Sequence, residues 1–178
     1  WRPLCIRDRL LVLPASIGHM KHLTKLCISV CGSLEYIPTE IWKLRKLKDL
    51  QINMCQFLTV LPNEIEFLSA LQTLEIYFCN DLERLPSTIG ALEQLETLKL
   101  SSNASLQSIP KEIGTLNNLQ SLLTETCMSL TVLPDELGSL SRLHSLTFHS
   151  RLHSLTFHSI TYDMLPSTTW ANCNIYHN

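Results

Sequence analysis

The chain has 178 residues, of which 45% are apolar and 17% are charged, and its net charge is −2 at pH 7. This composition supplies enough apolar residues for a hydrophobic core and argues against intrinsic disorder. Because there is no excess of basic residues and no apolar run of the roughly 18 residues that span a bilayer, we predict neither a nucleic-acid partner nor membrane insertion.

Proline recurs at a fixed interval along most of the chain. Seven of the eight prolines follow a Leu or an Ile, and the first five intervals between these seven are each 24 residues. The seven are Pro14, Pro38, Pro62, Pro86, Pro110, Pro134 and Pro166. A constant period of this length is typical of a leucine-rich repeat solenoid, in which each coil adds one strand to a curved parallel sheet. We predict a single repeat domain over residues 1–178, with about seven coils of 24 residues.

Each coil contains a segment with the pattern L-x-x-L-x-L-x-x-C, which begins nine residues after the proline. Alternation of apolar residues at the fourth and sixth positions predicts a strand with one buried face. The fourth residues are Leu26, Leu50, Leu74, Leu98, Leu122 and Leu146, and the sixth are Ile28, Ile52, Ile76, Leu100, Thr124 and Phe148. Thr124 is therefore a polar residue at a predicted core position.

The residues that follow each proline predict a short helical turn. Apolar residues stand three and six positions after the proline, as Ile89 and Leu92 do after Pro86, and such a spacing places both on one helical face. Proline suits the first position of this turn. A small residue four positions after the proline lets the backbone pack closely against the next coil, as at Gly18, Gly90, Gly114 and Gly138. The predicted fold is thus an α/β solenoid, a horseshoe with parallel strands on the concave face and helical turns on the convex face.

The ninth residue of the strand segment is Cys31, Cys55, Cys79 or Cys127 in four coils and Asn103 in another. An inward side chain at this point can satisfy backbone amides of the following loop, so we expect a structural ladder. The column lacks the C-x-x-C pairs and tetrahedral arrangement of a zinc site, and we predict no metal site.

The repeat is interrupted near its end. Residues 142–150, RLHSLTFHS, recur as residues 151–159. Nine residues are too few for a coil because a parallel crossover needs about a dozen or more, so we expect one copy to loop out or to add an antiparallel edge strand. Residues 167–178 are predicted to be a degenerate last coil or a tail.

The chemistry of the chain favours binding over catalysis. We find no activated nucleophile, acid–base pair, phosphate-binding loop or metal set, so we predict that this segment is not an enzyme and holds no cofactor. Instead, positions seven and eight of neighbouring coils place Val30, Met54, Tyr77 and Phe78 in one apolar patch, which is typical of a protein-binding hot spot.

The predicted binding surface also includes polar residues in the neighbouring columns: Gln51, Asn53, Glu75 and Lys99. Residues at one position of adjacent strands are surface neighbours. We therefore predict two ion pairs across adjacent strands, Lys25 with Asp49 and Glu75 with Lys99.

The full motif, L-x-x-L-x-L-x-x-C-x-x-L-x-x-L-P-x-x-I-G-x-L, is clearest over residues 71–92. It resembles the repeat of plant intracellular nucleotide-binding, leucine-rich-repeat disease-resistance proteins. The resemblance implies a sensing and autoinhibitory fragment of a longer cytoplasmic immune receptor, in which ADP or ATP binds only in an upstream domain. It also implies a protein partner, either a pathogen effector or the receptor's own nucleotide-binding domain. Two alternatives stay open: a cytoplasmic Ras-group scaffold for signalling proteins and the ectodomain of a cell-surface receptor.

Overall fold

A computed structural model describes residues 4–7, 15–31 and 33–148 of the chain. Short strands alternate there with short 3₁₀ helices. The strands are β1 (Leu4–Arg7), β2 (Lys25–Ser29), β3 (Asp49–Asn53), β4 (Thr73–Tyr77), β5 (Thr97–Lys99), β6 (Ser121–Thr124) and β7 (Ser145–Phe148). The 3₁₀ helices are η1 (Ala15–His19), η2 (Thr39–Lys43), η3 (Asn63–Phe67), η4 (Ser87–Ala91), η5 (Lys111–Thr115) and η6 (Asp135–Ser139).

The strands form one open parallel sheet in which their order follows the chain, from β1 to β7. The register aligns residues one repeat apart, so that Leu50 on β3 lies between Leu26 on β2 and Leu74 on β4. Each coil contributes one strand to the sheet and one 3₁₀ helix to the opposite face. The predicted leucine-rich repeat solenoid is confirmed.

The core lies between the sheet and the 3₁₀ helices. Leu50, Ile52, Leu74 and Ile76 have no accessible surface, and neither has Ile65 on η3. Burying a side chain of this size stabilises the fold by roughly 1.5–3 kcal/mol. No single coil encloses such residues, because each needs contacts from the coils before and after it.

Thr124 is buried at the predicted core position. Its Oγ1 donates a hydrogen bond to the carbonyl of Thr147 at 3.3 Å. Because the hydroxyl has this partner, the core accepts a polar side chain at the sixth position without leaving a buried group unsatisfied.

Among the described residues, the repeat prolines from Pro38 to Pro134 lie just before the 3₁₀ helices rather than within them. Pro62 and Pro86 have extended ψ angles of 159° and 148°, and their carbonyls accept the amides of Ile65 and Ile89 at 3.2 and 3.1 Å. The prediction that proline takes the first helical position is therefore wrong by one residue. Proline acts as the cap, where the residue is still extended while its carbonyl accepts the first helical hydrogen bond.

Glycine permits the close packing of adjacent 3₁₀ helices. A Cβ atom at Gly90 would lie 2.6 Å from the carbonyl oxygen of Glu112 in the next coil. A Cβ atom at Gly114 would lie equally close, 2.6 Å from the Cβ of Glu136. Both distances are shorter than van der Waals contact, so the predicted role of these glycines is confirmed.

The ninth-position ladder joins successive coils through buried hydrogen bonds. Oδ1 of Asn103 accepts the amide of Cys79 at 2.9 Å, while Nδ2 of Asn103 donates to the carbonyls of Ile76 and Leu100 at 2.9 and 2.6 Å. The thiol of Cys127 donates to the same Leu100 carbonyl at 2.8 Å. The structural role is confirmed, but the amide that Asn103 satisfies belongs to the preceding coil and not to the following loop.

Hydrogen bonding and burial shift the pKa values of three ladder thiols: the hydrogen bond with Cys55 lowers the pKa of Cys79, whereas the pKa values of Cys55 and Cys127 are raised. A hydrogen bond to the thiol of Cys79 raises the pKa of Cys55, with burial as the second cause. Burial also raises the pKa of Cys127. Since thiolates are the metal-binding and nucleophilic form of cysteine, the raised pKa values of Cys55 and Cys127 favour a packing role for these two residues.

The first copy of the duplicated nonapeptide continues the solenoid. It supplies β7, which pairs in parallel with β6 from Ser121 and Ser145 to Thr124 and Phe148. The second copy, residues 151–159, lies outside the described residues, and so does the predicted tail, residues 167–178. The prediction that one copy loops out or pairs in an antiparallel direction concerns these residues and stays a prediction.

Candidate protein-binding site

The eighth residue of five successive coils has a left-handed backbone conformation. Its φ angle lies between 55° and 60° at Val30, Met54, Phe78, Ser102 and Thr126. Here the strand ends and the chain turns, so that the ninth side chain enters the core while the eighth stays outside. Val30, Met54 and Phe78 are accordingly 52%, 47% and 49% exposed.

The four residues of the predicted apolar patch line a single cavity beside the strand ends. Val30, Met54, Tyr77 and Phe78 enclose about 400 Å³ together with Ser29 and Asn53. Nδ2 of Asn53 lies 3.5 Å from Oγ of Ser29, to which it donates a hydrogen bond. The cavity therefore combines apolar side chains with two small polar groups. We name it the apolar cavity.

A network of polar side chains lies on the same strands. Nε2 of Gln51 donates to Oε2 of Glu75 at 2.7 Å, and Nζ of Lys99 contacts Oε1 of Glu75 at 2.7 Å. Tyr77 follows Glu75 by two residues on β4 and lies close enough to Glu75 and Lys99 for their charges to act on its hydroxyl, so it connects the network to the apolar cavity. The predicted pair of Glu75 with Lys99 is thus confirmed.

The second predicted ion pair is also present. Nζ of Lys25 lies 2.9 Å from Oδ2 of Asp49 on the adjacent strand. Both residues line a second cavity of about 320 Å³ on the same strands, which we name the acidic cavity; its other lining residues are Leu26, Cys27, Gln51, Thr73 and Glu75.

The network raises two pKa values. The hydrogen bond to Glu75 raises the pKa of Lys99 above its ordinary value. Burial raises the pKa of Tyr77, and the negative charge of Glu75 adds to this effect. At neutral pH the network therefore presents a compensated ion pair and a neutral phenol.

The eight residues predicted for the site all lie on β2 to β5 or directly after these strands. The cavities and the polar network bring them together: Val30, Gln51, Asn53, Met54, Glu75, Tyr77, Phe78 and Lys99. Cys27 and Ser29 take the fifth and seventh positions of their coil, which the pattern predicts to be on the sheet surface, yet both are buried. They contact each other, with Sγ of Cys27 3.0 Å from Oγ of Ser29. An alternating pattern predicts on which face of the sheet a side chain lies but not how deeply that side chain is buried.

We also searched the described residues for metal-binding groups and for membrane-spanning helices. Among them we find no group of three or more His, Cys, Asp or Glu that could hold a metal ion. No helix in the described part of the chain is long and apolar enough to cross a membrane.

A family model described as a leucine-rich repeat region matches residues 39–166. The chain belongs to the leucine-rich repeat family. Leucine-rich repeat domains are generally non-catalytic folds that bind proteins on extended concave surfaces. A search of the curated proteins finds no match.

Two solved structures show the same fold. The leucine-rich repeat domain of the type III effector XopL has a TM-score of 0.58 and 23% identity, over 79% of this chain and 58% of that chain. The plant peptide hormone receptor RGFR1, solved in complex with RGF2, has a TM-score of 0.55 and 23% identity, over 78% of this chain and 26% of that chain. The leucine-rich repeat chain thus spans less than two thirds of either structure. At this identity the likeness concerns the fold alone.

Proposed function

We propose that this leucine-rich repeat chain recognises a protein partner through the concave surface around the apolar cavity. The observation that carries the proposal is the clustering of four large apolar side chains, Val30, Met54, Tyr77 and Phe78, in one solvent-open cavity. Clusters of this kind beside polar groups are typical of binding hot spots. Because each side chain is attached to a packed sheet, little conformational entropy is lost when a partner binds.

We further propose that the chain is the sensing and autoinhibitory segment of a plant intracellular immune receptor. The repeat motif supports this proposal, through its ladder of cysteines and its L-P-x-x-I-G corner. In this role the partner is a pathogen effector or the receptor's own nucleotide-binding domain, in the cytoplasm, and ADP or ATP binds in an upstream domain. A surface that contacts two states of that domain unequally shifts the equilibrium between them.

The coding sequence upstream of this segment tests the receptor assignment. We expect a nucleotide-binding P-loop there. An upstream signal peptide would instead assign the chain to a cell-surface ectodomain, and the absence of both features would favour a Ras-group scaffold.

A binding measurement tests the surface. The chain is titrated with the nucleotide-binding domain from the same coding sequence, loaded with ADP. We expect the Tyr77→Ala, Phe78→Ala variant to bind at least about tenfold more weakly, because both anchors of the cavity are lost. Phe57→Ala is the matched control, since Phe57 is 53% exposed but does not line the cavity. Equal affinity of the wild type and the double variant would reject the surface.

A further inference from the structure

We propose that two copies of the chain associate side by side through the loops that join the 3₁₀ helices to the strands, about a two-fold axis that passes through the loop between η3 and β4. We call these segments the helix–strand loops. In three successive coils they are residues 44–48, 68–72 and 92–96. None of their residues lines the apolar cavity, so this surface is separate from the proposed binding site for another protein.

The three helix–strand loops have the same turn and lie in register. In each loop the amide of the second leucine donates to the carbonyl three residues before it, at 2.8–2.9 Å. The loops are also joined to one another: the amide of Gln72 donates to the carbonyl of Lys48, and the amide of Glu96 donates to the carbonyl of Gln72, both at 2.8 Å. Equivalent side chains therefore form rows across the coils, with a spacing of ~4.8 Å where the strands begin.

The charge of the helix–strand loops reverses along these rows. The loop at residues 44–48 is basic, the loop at residues 92–96 is acidic, and the loop between them, LSALQ, carries no charge. The charged residues are Arg45, Lys46, Lys48, Glu93 and Glu96, and all five are exposed. The same asymmetry extends beyond the loops, because residues 21–48 contain six Lys or Arg and two Asp or Glu, whereas residues 49–148 contain four and twelve.

The loop charges are not neutralised within the chain. In the part of the chain that the structure describes, none of the five belongs to an ion pair. The guanidinium of Arg45 instead lies 5.1 Å from the centre of the Phe67 ring, and Nζ of Lys46 lies 3.3 Å from Nδ1 of His22. The five charges are therefore available to an oppositely charged surface.

A two-fold axis through residues 68–72 makes this surface complementary to itself. The axis lies in the plane of contact and runs from the convex to the concave side, so it reverses the order of the coils but not the order of residues within a loop. Arg45 then faces Glu93 of the second copy, and Lys48 faces Glu96. Because the contact is isologous, each of these ion pairs forms twice. Only small side chains, Ser69 and Ala70, lie near the axis, which allows close approach.

The direction of the axis follows from the same charges. A two-fold axis along the solenoid would place the basic loop of one copy against the basic loop of the other, and such like-charge contacts are unfavourable. The proposed axis avoids them. It also keeps both concave surfaces on the same side of the dimer, so that the two apolar cavities stay open to other proteins.

Sedimentation velocity of the 178-residue chain tests the association. We expect the wild type to self-associate at an ionic strength of about 0.01 M, and the association constant to fall at least about tenfold at about 0.5 M, because salt screens exposed charges. At the low ionic strength, Arg45→Glu, Lys48→Glu should associate at least about tenfold more weakly than the wild type. Arg84→Glu, Lys111→Glu is the matched control: it changes the net charge equally at exposed residues outside the helix–strand loops and should keep the wild-type constant.

An exchange of charges tests the geometry. The variant Arg45→Glu, Lys48→Glu, Glu93→Arg, Glu96→Lys should associate with itself as the wild type does, because the two-fold axis again pairs opposite charges. It should not associate with the wild type, because like charges would then face each other. Association of this variant with the wild type, or its failure to associate with itself, would overturn the proposal. So would a wild-type chain that stayed monomeric at both ionic strengths, a result that depends on the folding of no variant.

Discussion

The backbone amide of Cys79 donates a 2.9 Å hydrogen bond to Oδ1 of Asn103, the equivalent residue of the next coil. The same side chain donates to two carbonyls, and it has no accessible surface. One asparagine thereby satisfies three backbone groups that water cannot reach. Leaving such a group without a partner costs about 1–3 kcal/mol.

Replacing Asn103 should therefore destabilise the fold strongly. We expect Asn103→Ala to lower the free energy of unfolding by about 2 kcal/mol or more, since the amide of Cys79 and the carbonyl of Ile76 lose this partner, while the carbonyl of Leu100 keeps the thiol of Cys127. Asn103→Cys should lower the free energy of unfolding clearly less than Asn103→Ala does, because cysteine occupies the equivalent position in four other coils. Urea unfolding measures both values, with the slope m as a check on the unfolded state. An equal loss of unfolding free energy in the two variants would contradict the stabilising role of hydrogen bonds from the ninth side chain.

The left-handed conformation at Val30 should be a source of strain. Its φ angle is 59°, in a region that costs a non-glycine residue roughly 1–2 kcal/mol. We expect Val30→Gly to raise the free energy of unfolding by up to about 1 kcal/mol, after allowing for the greater freedom of glycine in the unfolded chain.

Val60 is the matched control for this substitution. It is also an exposed valine, but it does not have a positive φ angle. Val60→Gly should lower the free energy of unfolding by about 0.5–1 kcal/mol. The same sign of change for both variants in urea unfolding would refute strain at Val30.

Residues of the apolar cavity should contribute little to stability. We expect Phe78→Ala to change the free energy of unfolding by less than about 1 kcal/mol, because Phe78 is half exposed in the free chain. Leu74→Ala, on the buried face of β4, should cost about 2–5 kcal/mol. Thermal unfolding followed by circular dichroism compares the two. A loss at Phe78 as large as that at Leu74 would assign Phe78 to the core.

The polar network should weaken at alkaline pH. The pKa values of Lys99 and Tyr77 lie above their ordinary values of 10.5 and 10.0, so the folded state holds both protons more tightly than the unfolded state. Their contribution to stability is therefore fully present below about pH 10 and is lost as pH rises through the folded-state pKa values.

Glu75→Gln tests the origin of these shifts. It removes the hydrogen-bonded charge, so both pKa values should fall. The ultraviolet absorbance of tyrosinate follows Tyr77 directly, with Tyr77→Phe as the reference that removes its signal. A Tyr77 titration that stayed in place or moved to higher pH in Glu75→Gln would show that Glu75 does not act on it.

The repeat made much of this structure predictable. One strand assignment sets the register of all the others, so Lys25 with Asp49 and Glu75 with Lys99 could be paired from sequence alone. The same argument predicted that the four apolar residues of the apolar cavity lie side by side. Each of these predictions uses only the position of a residue within its coil, which the period of 24 residues defines.

Features that depend on the path of the backbone were not predictable in this way. The left-handed residues include Val30, Met54 and Phe78, whereas the usual sequence signals of that conformation are Gly and Asn. The turn is needed to bring the ninth side chain into the core, and no local propensity reveals it. The partner of Asn103 was misplaced for a related reason: the parallel register sets the ladder side chain beside the amide of the preceding coil.

The backbone conformation at the eighth position does not depend on which residue occupies it. The same backbone angle accommodates Val30, Met54, Phe78, Ser102 and Thr126, which differ in size, branching and polarity. Successive coils thus offer a row of surface positions ~4.8 Å apart, and the backbone conformation at these positions is the same for each of the five side chains. A library randomised at these five positions should yield folded chains with altered binding preferences, so that new specificities arise by exchanging one residue per coil.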